Sequence, residues 1–159
     1  MANFYNEDAI GKLSAAYAEM RGSSMRLQER CLGHAFRSRR AKDFARYGLA
    51  RRLSTLVRCV TNAFRRIPPE LDGLPTSDAL HDTEIQVQAF VVNVFGCLDN
   101  LAWIWVEERS IKNPKNGEEL RPEWVGLRPK NEVVIGSLDD SVKEYLITIK
   151  NWFEYIEPF

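Results

Sequence analysis

Histidine is nearly missing from this chain: His34 and His81 are the only two in 159 residues. Neither has a second ligand-type side chain at a suitable metal-binding spacing, so no metal site is expected. Cysteine is scarce and odd in number. Cys31, Cys59 and Cys97 are widely spaced and form no Cys-x-x-Cys pair, which argues against a disulfide framework and suits buried thiols in a reducing compartment. Glycine-rich phosphate loops, Gly-x-Ser-x-Gly elbows and His-Glu-x-x-His helices are absent. The sequence thus offers none of the usual signatures of P-loop, α/β-hydrolase or zincin chemistry, and no cofactor is expected. The N-terminus, MANFYNEDAIGKL, has no apolar run behind a basic segment, so no signal peptide is read there and a cytoplasmic location is expected. Net charge is zero, with 22 Lys and Arg against 22 Asp and Glu.

An apolar fraction of 45% with 28% charged residues is that of a folded globule, and the length suits one domain over residues 1–159. The charge is unevenly placed. Residues 1–67 carry 14 Lys and Arg against 5 Asp and Glu, and residues 68–159 carry 8 against 17. These halves either neutralise each other within the fold or leave the basic one facing an anionic partner.

Periodicity predicts an all-α fold. Apolar side chains step by three and four through Ile10, Leu13, Tyr17, Met20, Ser24, Leu27 and Cys31, the seam of a first helix over about 6–36, with Asn6 as its cap. Leu49, Leu53, Leu56, Val60, Ala63 and Ile67 mark a second helix over about 41–66, which Pro68-Pro69 ends. A third, over about 78–109, is apolar around most of its circumference and reads as the buried central helix. Its apolar run reaches membrane-spanning length, yet Gln86, Gln88, Asn93, Asp99 and Asn100 interrupt it, so no membrane partner is expected. Residues 110–131, rich in proline and glycine, form an irregular insertion, with Asn113 to Gly117 as the turn of a short hairpin. The fourth helix is expected over about 137–157, capped by Ser137 and striped by Val142, Tyr145, Ile149, Trp152 and Ile156. The predicted architecture is an antiparallel up-down bundle of these four principal helices.

Three groups of residues are candidates for a role. Asp99 and Asn100 lie in apolar surroundings and are expected to form a buried polar site, since a buried carboxylate requires a partner. Arginine crowds the second helix, and Arg39, Arg40, Arg46, Arg51 and Arg52 are the expected contacts to RNA phosphates. The alternative for them is a solvated face paired with the acidic half. Trp152, Phe153, Ile156 and Phe159 make an aromatic cluster expected to be covered by a second copy of the chain or by a missing C-terminal segment. No catalytic residue is identified: Asp99 as a general base has neither a nucleophile nor a metal to work with.

The run from Asn93 to Trp103 (NVFGCLDNLAW), with Trp105 and Glu107 after it, resembles a group of bacterial proteins of the HEPN superfamily. The closing segment from Trp152 to Phe159 (WFEYIEPF) does so too. The resemblance covers roughly the last two-thirds of the chain. It implies a helical bundle that dimerises, relatives that are metal-independent ribonucleases of toxin–antitoxin and defence systems, and a cognate antitoxin as a further partner. Their signature is an arginine followed after four to six residues by a histidine, expected here just beyond Phe159. The chain stops there, and Arg30 and Arg26 stand at the wrong distances from His34. The expectation is a catalytically silent, RNA-related domain that is a fragment or degenerate member. The alternative is a structural or interaction module, a dimerising bundle with no enzymatic role.

Overall fold

The computed structural model describes residues 5–156, the side chains at 154 and 156 excepted. Among these residues the chain is all-helical, as expected, and its one β contact is an isolated antiparallel bridge between Lys112 and Glu119. The order is α1 (Glu7–Gly33), α2 (Arg39–Asp43), a π-helical segment (Phe44–Leu49), α3 (Ala50–Arg66), α4 (Ser77–Arg109), a 3-10 turn (Pro122–Trp124), α5 (Glu132–Ser137), α6 (Asp140–Thr148) and α7 (Lys150–Ile156).

Local chemistry sets most of these boundaries. Asn6 caps α1, its side-chain oxygen accepting from the Ala9 amide at 2.8 Å. Thr76 does the same for α4, accepting from Ala79 at 3.2 Å. The Asn113–Gly117 turn forms as predicted: the Asn113 amide donates to Glu118 at 2.9 Å and the Gly117 amide to Asn113 at 2.8 Å. Gly117 takes φ 73° there, a value that suits a residue without a Cβ.

The chain divides into two compact units, Met1–Gly33 with Ala50–Val94, and His34–Leu49 with Phe95–Phe159. In the first, α1 and α3 are joined by Tyr17 to Thr61 and Ser24 to Leu53, and so run antiparallel. α3 and the first half of α4 are joined in the same sense by Arg66–Asp82, Asn62–Gln86 and Arg52–Asn93. In the second unit the core is Ala102, Val106, Leu120, Val125 and Val134. Two of these five come from the irregular insertion, which is therefore part of the packing.

Several expectations are corrected. The second helix is not one α-helix, because a π turn separates α2 from α3. The fourth helix is three pieces and begins earlier. Ser137 ends α5 instead of capping a helix: its hydroxyl donates to Val134 at 2.6 Å and accepts from the Trp105 indole at 3.0 Å. Its stripe is also displaced. Val142, Tyr145 and Trp152 are exposed, since Val134 and Leu138 on α5 and just after it have taken the buried positions. α4 is not an enclosed central helix. An 18-residue window of it is apolar and long enough to cross a membrane, but 22% of that window is buried, and Ile85, Val87 and Val92 are exposed.

Candidate nucleic-acid interface

α1 and α3 enclose an open groove of ≈ 810 Å3. Side chains reach it at helical spacing from both walls. Tyr17, Arg21 and Gln28 come from α1; Ser54, Arg58, Thr61 and Arg65 come from α3. Ala18 and Gly22 are small, and keep the α1 wall shallow.

The floor is a hydrogen-bonded polar seam. Tyr17 and Thr61 hydroxyls lie 2.6 Å apart, and the Thr61 hydroxyl donates to the Val57 carbonyl at 2.8 Å. Farther along, Ser54 donates to Gln28 at 3.0 Å and Gln28 to Ser24 at 3.1 Å. These bonds hold the two helices in register and leave hydroxyl and amide groups facing the groove. Phe64 supports the Tyr17 ring edge-on, with centroids 5.6 Å apart, and the Arg21 guanidinium stands 5.7 Å over the same ring.

Arg21, Arg58 and Arg65 are exposed, and among the described residues no Asp or Glu lines the groove. Three guanidinium groups beside hydroxyl groups, with no acid among the described lining residues, have the chemistry to hold a multiply charged anion such as a phosphate backbone. Within the sequence, Arg58 and Arg65 stand one heptad apart with Thr61 between them. Tyr17 and Ser24 at seam positions of α1, with Thr61 beside the α3 stripe, were the signal that this seam opens instead of closing on leucine.

The five arginines expected to contact phosphate are not gathered in this groove. Arg39 and Arg51 are exposed, and Arg46 is half-buried. Arg40 is held by Glu107 at 3.2 Å and Glu119 at 3.3 Å, and its guanidinium lies over Trp103. Arg52 donates to Asn93 at 3.2 Å, and its Nε is buried with no hydrogen-bond partner. Arg40 and Arg66 thus join basic and acidic stretches of the chain, as the alternative reading of these charges requires.

Asp99, expected to be buried, is exposed. It falls on a side of α4 that meets solvent. Asn100 is half-buried and donates to the Gly96 carbonyl at 2.7 Å. Its side chain packs on Gly48 of the π segment so closely that a Cβ there would overlap it. π turns are frequent at functional sites, and this one lets the backbone approach Asn100.

Of the aromatic cluster, Trp152 is exposed, and Phe153 is half-buried and meets the Trp152 ring edge-on at 5.4 Å. The Ile156 side chain and Phe159 lie outside the described residues. Among the described residues, no three His, Cys, Asp or Glu side chains come together as metal ligands. No family model matches the chain, and neither a curated protein nor a solved structure matches it.

Proposed function

We propose that this chain is a HEPN-like helical domain that binds RNA without cleaving it, through the arginine-lined groove between α1 and α3. The observation that carries the binding is the lining with Arg21, Arg58 and Arg65 and, among the described residues, no acid. The superfamily part rests on the resemblance in residues 93–103 and 152–159. Cleavage is left out because neither histidine has an arginine at the family's spacing. The domain is read as soluble and cytoplasmic. Gln86 and Asn93 of the apolar helix bond to α3 side chains, and Asp99 on that helix is exposed to solvent; a lipid-facing helix would carry these groups at a cost.

Fluorescence anisotropy with a labelled 12-nucleotide RNA tests this reading. The wild-type chain should bind, and R21E/R58E/R65E should bind at least about ten-fold more weakly with an unchanged circular dichroism spectrum. Equal binding by the variant would remove the groove from the proposal.

A second reading, a dimerising interaction module, is favoured by the apolar side chains left in solvent. Ile85, Val87 and Val92 on α4, and Tyr145, Ile147 and Trp152 on α6 and α7, are all exposed. Light scattering coupled to size exclusion should then give twice the 18.3 kDa chain mass. A strict monomer at high micromolar concentration would remove this reading.

A further inference from the structure

Guanidinium groups alone do not tell RNA from DNA, since both strands offer the same phosphates. The floor of the α1–α3 groove adds neutral groups, and the direction of its hydrogen bonds fixes what they can do. Thr61 has one hydroxyl proton, and the Val57 carbonyl 2.8 Å away can only accept. That proton is therefore committed to the backbone. In the 2.6 Å bond between Tyr17 and Thr61 the donor must then be Tyr17. The bonds run from Tyr17 to Thr61 to Val57, and they leave the Tyr17 oxygen at the groove as a neutral acceptor.

We infer that this groove recognises the ribose 2′-hydroxyl, which donates to the Tyr17 oxygen while the flanking phosphates meet arginine. The inference rests on the RNA-binding reading of the groove given above. A phosphodiester carries acceptors and no donor, so it satisfies Arg21, Arg58 and Arg65 but leaves the Tyr17 oxygen without a partner. The 2′-hydroxyl can donate, and DNA lacks it.

The order of groups along the wall supports the same ligand. Arg58, Thr61 and Arg65 follow at steps of three and four on one face of α3. From first to last they span about 10 Å of helix axis. Tyr17 meets the middle one, so along α3 the acceptor stands between two arginine positions, as each ribose hydroxyl stands between two phosphates. Phe64 lies edge-on to the Tyr17 ring and Arg21 lies over it. The phenol is thus held in place before a ligand arrives, which lowers the cost of ordering it.

Competition anisotropy on the full chain tests the inference, with three 12-nucleotide strands of one adenine–cytosine sequence as RNA, 2′-O-methyl RNA and DNA. RNA should bind at least about five-fold more tightly than either of the others, the scale of one net hydrogen bond. The methyl ether keeps the ribose and its oxygen but has no proton to give, so it separates donation from strand shape. Y17F/T61V should bring the RNA-to-DNA affinity ratio close to one; Thr61 is changed with Tyr17 because it would otherwise inherit the acceptor. The wild-type comparison needs no variant and decides the matter if Y17F/T61V fails to fold. Equal binding of RNA and DNA overturns the inference while leaving the basic groove as a phosphate site. So does 2′-O-methyl RNA that binds as well as RNA, or an unchanged ratio in Y17F/T61V. Binding of none of the three strands removes the groove reading itself, and the inference with it.

Discussion

Gly48 lies in the π-helical segment against the side-chain amide of Asn100. In an ordinary helix interior Gly→Ala stabilises by about 1 kcal/mol. Here the added methyl overlaps the Asn100 oxygen, and overpacking of that kind costs about 1–3 kcal/mol. Gly48→Ala should therefore lower the urea-unfolding free energy, and Asn100→Ala in the same chain should restore most of the loss; additivity of the two would contradict the contact. Cys31 and Cys59 are buried, and burial pushes both thiols above their ordinary range. Because their folded values are raised, their stabilising effect is complete below the ordinary thiol pKa and is lost as pH rises through the folded value. Both thiols should react slowly with a disulfide reagent at pH 8 and quickly in urea, and stability should fall less on alkalinisation in C31A/C59A than in the wild-type chain. The buried thiols were readable from sequence. Asp99 was not, because an apolar neighbourhood along a helix does not say which side meets solvent.

α2 begins where Glu108 accepts from the Arg37 amide at 3.2 Å and the Ser38 amide at 2.9 Å, while Ser38 accepts from Ala41 at 3.2 Å. A carboxylate and a hydroxyl thus satisfy amides at and beside a helix start, which favours negative charge. Ser38→Ala should cost about 1 kcal/mol in urea unfolding, and no loss would show the cap to be idle. The Glu108 bond to the Ser38 amide joins residues 70 apart in sequence, so no local pattern announces it. The bounds of the first and third helices were legible to within a few residues. The second and fourth were not. A π turn inserts an extra residue, and the single glycine in it, Gly48, is too weak a break for periodicity to detect. In the fourth, Val134 and Leu138 claimed the core ahead of the longer, more aromatic stripe, and the chain broke twice to follow them. The insertion was read correctly as irregular, but its apolar residues Leu120 and Val125 are core, a role that composition rich in proline and glycine conceals.

Across the whole molecule the two charge halves are partly reconciled inside the fold, through Arg40 with Glu107 and Glu119 and Arg66 with Asp82. Such exposed pairs contribute little individually. The basic residues they leave over matter more, and three of these stand together in the α1–α3 groove. Sequence made the excess of arginine plain but did not single out Arg21, Arg58 and Arg65 as the members that share one groove, since burial and pairing decide which cations stay available to a ligand. If the groove neutralises three phosphates of a single strand, the slope of log Kobs against log salt should be about −2. The most direct measurement is therefore that slope, taken by RNA anisotropy between 50 and 200 mM salt for the wild-type chain and for R21Q/R58Q/R65Q, concentrations chosen to span roughly the range where counterion release is large. A slope near −2 that flattens in the variant is the predicted result; a flat wild-type line, or the same slope in both chains, would contradict the account.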